Sequence, residues 1–275
     1  MLRTRTCSKR AFAPIRLALY VLQLSANGCT DTSSEPGTAP ANDTSTMELD
    51  SAVDASIEQP NLRSGQATWS ALTGGQRHQG LTLAEWVLSW THWYMSANSC
   101  DTAETDLDGS GCSLFQDPDS AAFFLARGEY LTVRTRCHVS RNLAVVVPIV
   151  FFIAGLTPSP LMNSPSPAKL DENAREIAAT MRDIVFQVDG VEMLEINHHR
   201  IDSTMFSETI PSEPNRLSCE GNEGSSGSVG PFFITGFFAL LPPGAVGRHV
   251  ITYGGTYSIN GIDVVDRVRA TIYIE

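Results

Sequence analysis

The stretch Leu143–Ala154 (LAVVVPIVFFIA) contains no polar or charged side chain, and it limits the fold more than any other feature. It is too short for a membrane-spanning helix, which needs about 20 apolar residues. Pro148 stands in its middle and β-branched residues dominate it, so it reads as a buried strand with a bulge or break at Pro148. The neighbouring sequence supplies partners. Ala121–Ala126 and Tyr130–Arg136 flank Arg127-Gly128-Glu129 and read as a hairpin. Val185–Val188 and Val191–Asn197 flank Asp189-Gly190, a type I′ turn signal. Phe232–Leu241, His249–Tyr253, Thr256–Asn260 and Val264–Ile274 complete the strands, and residues 221–230 (GNEGSSGSVG) read as a flexible loop. The expected class is mainly β: a β-sandwich, jelly-roll or Ig-like, with two accessory helices.

The first helix opens at Thr82-Leu83-Ala84-Glu85, a capping box, and runs to about Ala97. Trp86, Trp90, Trp93 and Ala97 fall at i, i+4, i+7 and i+11 on one face. Such a stripe could serve as an aromatic platform for a sugar ring or a base, but an apolar arc at helical spacing is core. Glu85, Ser89 and His92 share the opposite side. A catalytic triad also needs an oxyanion hole and an aimed base, which one helix face lacks, so this row reads as a solvated polar face. A second helix is expected from about Asp171 to Arg182, with Ala174, Ile177, Ala178 and Met181 as its apolar stripe. The segment before it, Thr157–Pro167, holds four prolines and reads as an extended loop.

The N-terminal third has a different character. Arg3, Arg5, Lys9, Arg10 and Arg16 precede or border the apolar core Leu17–Leu24, and small residues follow up to Gly28-Cys29. This is the pattern of an export signal over residues 1–28. Its end resembles a bacterial lipoprotein signal, which would make Cys29 the lipidation site; Ala26 and Asn27 depart from that pattern, and simple secretion is the alternative. Residues 29–65 read as a disordered acidic tether, with seven acids and no Lys or Arg between Thr30 and Asn61. The domain then occupies 66–275. The whole chain has a net charge of -11, which argues against nucleic-acid binding because that needs a basic footprint. Membrane contact is expected through a lipid anchor only.

Export would place the cysteines in an oxidising compartment. Cys100, Cys112, Cys137 and Cys219 remain after Cys7 and Cys29 are set aside, and four cysteines allow three pairings that spacing alone does not decide. No Cys-x-x-Cys knuckle supports a zinc site. A succession of short motifs bears a resemblance: the Trp-rich helix with Glu85-Trp86, Gly111-Cys112, Phe123–Ala126, Arg136–Val139, the apolar strand with Pro148, Val188–Val191, Leu240–Gly244 and Gly247–His249. Over roughly residues 81–255 the chain resembles a group of uncharacterised bacterial secreted proteins or lipoproteins with a Trp-rich helix followed by a β-rich domain. The resemblance implies an exported, mostly β domain and favours Cys112–Cys137, with Cys100–Cys219 as the second bridge. It brings no activity.

No nucleophile elbow, metalloprotease motif, P-loop or dinucleotide fingerprint is present. Weak catalytic candidates are His138, His198, His199 and Asp202. On a strand, His198 and His199 would point to opposite faces, one buried and one exposed. Asp101, Glu104, Asp106 and Asp108 before Gly109 are the one cluster that would suit calcium. Phe115 stands where an EF-hand needs its bidentate Glu, and a solvated acidic loop is the preferred reading, so no cofactor is expected. The sequence therefore points to a non-catalytic binding or structural lipoprotein of the envelope, its ligand a saccharide, a peptide or an envelope protein. The alternative is an extracytoplasmic hydrolase or lyase whose site is assembled from dispersed His and Asp residues.

Overall fold

The computed structural model describes residues 69–72, 75–103, 106, 108–128, 130–155, 166–193, 195–219 and 226–275. The export signal with Cys29, the acidic tether and Glu104 lie outside the described residues. Among the described residues nine strands form two sheets. Sheet A holds β1 (Ala122–Phe124), β3 (Ala144–Gly155), β7 (Gly227–Leu241) and β6 (Arg200–Ile210), in the order β1-β3-β7-β6. Sheet B holds β2 (Tyr130–Val139), β9 (Ile262–Ile274), β8 (Gly247–Ile259), β4 (Arg182–Val188) and β5 (Val191–Glu192), in the order β2-β9-β8-β4-β5. The class is mainly β, a sandwich of two sheets with accessory helices α1 (Leu83–Met95) and α2 (Pro167–Ala179) and a single turn, α3 (Arg216–Cys219).

The apolar run is β3, buried along its whole length because it is covered twice. Val145, Val147, Ile149, Val150, Phe152 and Ala154 join the core between the sheets. Ala144, Val146, Phe151 and Ile153 join a second core on the other side of sheet A, under α1. Ile149 and Val150 are adjacent yet share one core, so the alternation slips there. The register against β7 shifts between Pro148 and Val150, the bulge expected at a proline that has no N–H for the ladder. On β7, Gly236 lies opposite Phe151 at φ +143, and a Cβ there would sit 2.3 Å from the Val150 carbonyl oxygen. Only glycine accommodates that approach.

The Trp stripe of α1 is core, as its spacing predicts. Trp90 is fully buried against Tyr94, Phe151 and Phe238, and its indole N–H donates to the Leu125 carbonyl at 2.8 Å. Thr82 and Glu85 make the capping box. Helix α2 contributes Leu170, Ala174 and Ile177 to the core between the sheets and contacts strands of both. It starts four residues earlier than expected, because Ser166 caps it and Pro167 occupies the first helical position, where its missing N–H is harmless.

Residues 227–230, expected in a loop, belong to β7, and four further expectations are corrected. Ala121–Ala126 and Tyr130–Arg136 do not form a hairpin: β1 runs parallel to β3 in sheet A, and β2 runs parallel to β9 in sheet B. At the crossing between the sheets lies buried Arg134, whose guanidinium donates to the carbonyls of Ala126 and Arg127 at 3.0 and 2.8 Å. The strand after Asp189-Gly190 ends at Glu192, and His198 and His199 lie on a single 3₁₀ turn (Ile196–His199). Arg200–Ile210 is a long strand that alternation does not reveal. His249–Tyr253 and Thr256–Asn260 are one strand, β8, which passes through Gly254 at φ +150 where a Cβ would lie 2.0 Å from the Asp266 carbonyl oxygen.

Both disulfides are formed: Cys100–Cys219 and Cys112–Cys137. They fit an oxidising, extracytoplasmic compartment. Among the described residues no helix is long and apolar enough to cross a membrane.

Candidate functional site

The polar side of α1 borders a groove of about 640 Å³. Trp86, Trp93 and Phe124 line it while remaining largely buried, so they form its floor. The segment that closes the other side, Phe115 to Ala121, is fixed from within. Ser120 Oγ donates to the Ala122 carbonyl and accepts from the Ala122 N–H, and the Gln116 side-chain amide pairs with both the N–H and the carbonyl of Phe124. On its other edge β1 bonds to β3, through the Ala144 N–H to the Ala121 carbonyl and the Leu125 N–H to the Val146 carbonyl. Two side chains therefore do for the outer edge of β1 what a strand would do. Cys112–Cys137 ties the start of this segment to β2.

Phe115 takes φ +58 and is 38% exposed on the groove. A bulky residue in the left-handed region costs about 1–3 kcal/mol, and such strain concentrates at ligand clamps. Asp117 lines the same side, with Oδ1 accepting the Asp119 N–H at 2.9 Å. Facing them, His92 Nδ1 lies 2.7 Å from Glu208 Oε2. The Glu208 side chain is 7% exposed and that of His92 is 71% exposed. Glu208 Oε1 accepts the Thr209 N–H, so the carboxylate is held at both oxygens and in turn orients the imidazole. The Glu-Ser-His row is thus not merely solvated, because β6 brings a carboxylate to its His. It is still no triad: Ser89 Oγ donates to the Glu85 carbonyl at 3.2 Å rather than to His92.

The sequence-nominated catalytic residues are not gathered. His138 on β2 pairs with Glu275 and stacks on Tyr273. His198 pairs with Glu195, and Asp202 faces Arg200 at 3.5 Å. His199 is buried edge-on to Phe186; burial and neighbouring His198 lower its pKa, which keeps it neutral. One His of the adjacent pair is buried and one exposed, as expected, but a 3₁₀ turn and not a strand arranges them. In the acidic segment, Asp106 accepts the Gly109 and Gly111 N–H groups, and Asp108 accepts the Ser110 N–H, which holds its carboxyl below the usual range. Among the described residues no three His, Cys, Asp or Glu side chains converge on a metal position.

A second His–carboxylate pair lies elsewhere. His249 Nδ1 is 2.8 Å from Asp189 Oδ2 and Nε2 is 2.8 Å from the Ala245 carbonyl, so both ring nitrogens donate and the bond to Asp189 raises the His249 pKa. Burial alone would raise the Asp189 pKa, but the bonds from His249 and the Val250 N–H outweigh it and lower it. Trp69 tilts over His249 at 5.0 Å and donates to the Pro242 carbonyl.

Searches against protein families, curated proteins and solved structures return no match for this chain. Its function is argued from the groove. Sequence reasoning reached Ser89 and His92 but missed Glu208, Phe115, Gln116 and Asp117. Glu208 is 116 residues from His92, and no local spacing announces such a pair.

Proposed function

We propose that this protein is exported, anchored in the bacterial envelope through lipid on Cys29, and carries a binding domain that holds its ligand in the groove beside α1. The likeness to secreted bacterial proteins belongs to the same reading. One observation carries the binding function: a groove of about 640 Å³, within the range of ligand sites, whose floor is aromatic and whose rim holds a strained, exposed Phe115. The two disulfides support the exported location. The acidic tether would let the domain reach out from the membrane.

A second reading rests on His92. A histidine oriented by a buried carboxylate, with its other nitrogen left to a groove, has the arrangement of a general base. The protein would then be an extracytoplasmic hydrolase or lyase. The readings separate on purified domain screened against glycan and peptide arrays, with Ser89→Arg as a groove-filling variant. Binding that Ser89→Arg abolishes, with no turnover of the bound compound, supports the binding module. Turnover lost in His92→Ala supports the enzyme. Binding indifferent to Ser89→Arg would refute the groove as the site.

A further inference from the structure

The donors and acceptors of the groove are unequal, and that inequality selects a ligand. Ser89 Oγ donates to the Glu85 carbonyl, Ser96 Oγ to the Trp93 carbonyl and Ser120 Oγ to the Ala122 carbonyl. The indole N–H groups of Trp86 and Trp93 donate to the carbonyls of His78 and Leu114. Each hydroxyl and indole along the lining therefore spends its proton inside the protein. His92 Nδ1 lies 2.7 Å from Glu208 Oε2, which leaves Nε2 to pair with a ligand. Asp117 adds a carboxylate with one oxygen beyond its bond to Asp119, and among the described residues no Lys or Arg lines the groove. What faces the ligand is a set of acceptors around aromatic rings.

From this, and resting on the groove being the binding site, we infer that its ligand is an uncharged oligosaccharide. A sugar ring presents several hydroxyl donors at its edge and an apolar C–H face that packs on an aromatic ring. Phe115 is the ring for that face; Asp117 accepts from the hydroxyls, and His92 Nε2 pairs with one of them. Phosphates, sulfates and uronates offer acceptors to acceptors, and they would meet Asp117 and a chain of net charge -11. An extended peptide would bind by adding a strand, but the nearest edge, that of β1, is already closed by Ser120 and Gln116. A single cation would use the carboxylate but leave the other acceptors of the groove unpaired.

The test is calorimetry of the purified domain with cello-, xylo-, malto- and chito-oligosaccharides, set against polygalacturonate, heparin, spermidine and a random peptide library. Phe115→Ala and Asp117→Asn are expected to weaken binding of a neutral oligosaccharide by about tenfold or more each, the scale of an interface anchor. Asp117→Asn keeps the oxygen that caps Asp119, and Phe115→Trp keeps a stacking ring and is expected to bind like the parent, so loss of fold is distinguishable from loss of contact. Preference for polygalacturonate, heparin or spermidine would overturn the assignment, as would neutral-sugar binding untouched by Phe115→Ala and Asp117→Asn. Peptide binding sensitive to Ser89→Arg, with no sugar bound, would overturn the saccharide and keep the groove. Absence of any binding sensitive to Ser89→Arg would remove both.

Discussion

Replacing Trp90 tests whether α1 is part of the fold or an appendage to it. Trp90 is fully buried, its ring centroid 4.7 Å from Tyr94, 4.8 Å from Phe151 and 5.4 Å from Phe238. Truncating a core Trp to Ala costs about 3–5 kcal/mol through lost transfer free energy and the cavity left behind. The Leu125 carbonyl would also lose its indole donor, a further cost of about 1–3 kcal/mol if water cannot replace it. Trp90→Phe loses the N–H and a smaller part of the ring, so it should cost less than Trp90→Ala. For a folded region of this size, 3–5 kcal/mol lowers Tm by about 6–20 °C. Urea unfolding with both disulfides intact, fitted with a common m-value, measures the difference. If Trp90→Ala cost less than about 1.5 kcal/mol, α1 would not be sealing the outer face of sheet A and the two-core account of β3 would fail. Equal losses for Ala and Phe would mean that the phenyl part of the ring adds nothing to the packing of the helix.

Two further expectations follow from the covalent and ionic ties. Cys100–Cys219 closes a loop of 119 residues and Cys112–Cys137 one of 25, so chain entropy assigns them about 4.9 and about 3.5 kcal/mol. The Cys100→Ala/Cys219→Ala pair should therefore unfold at lower urea than Cys112→Ala/Cys137→Ala; the reverse order would show that native contacts outweigh loop entropy. His249, with its raised pKa, stabilises the fold fully below its unfolded pKa near 6.5, and that contribution is lost as pH rises through the folded value. Asp189, with its lowered pKa, contributes above about pH 4 and loses that as pH falls through its folded value. The urea midpoint should decline as pH rises from 6.5, and His249→Phe should flatten that decline; an unchanged slope in the variant would place the titration elsewhere.

The sequence made the local features legible and left the pairings hidden. The capping box at Thr82, the Trp stripe of α1, the proline bulge in β3 and the Asp189-Gly190 turn all arise within a few residues, where spacing dictates conformation. Arg200–Ile210 went unread because β6 is an edge strand with polar residues on both sides, so alternation is faint. The hairpin expected at Arg127–Glu129 is replaced by a crossing from sheet A to sheet B. Arg134 binds the carbonyls that a tight turn would have used, and a Cβ at Gly128 would collide with Thr132. The sandwich could be inferred from strand count, whereas the parallel pairings β1–β3 and β2–β9 could not, since they join segments that no local spacing links.

The groove was illegible for the same reason, and its origin is tied to that crossing. Because β1 ends sheet A without a hairpin partner, its outer edge is open, and an open edge invites pairing with another chain. The residues before β1 close it with two side chains, Ser120 and Gln116, instead of a strand. A side-chain seal is narrower than a strand and leaves the space between itself and α1 unfilled. That space is the groove, floored by the rings of Trp86, Trp93 and Phe124. Sealing the edge also uses up the hydrogen-bond donors of the sealing segment, Ser120 and Gln116 among them, while helix α1 uses those of Ser89 and Ser96. The acceptor-rich lining is therefore a consequence of how the fold satisfies its own backbone, and it leaves Phe115 and Asp117, neither needed for the seal, on the groove.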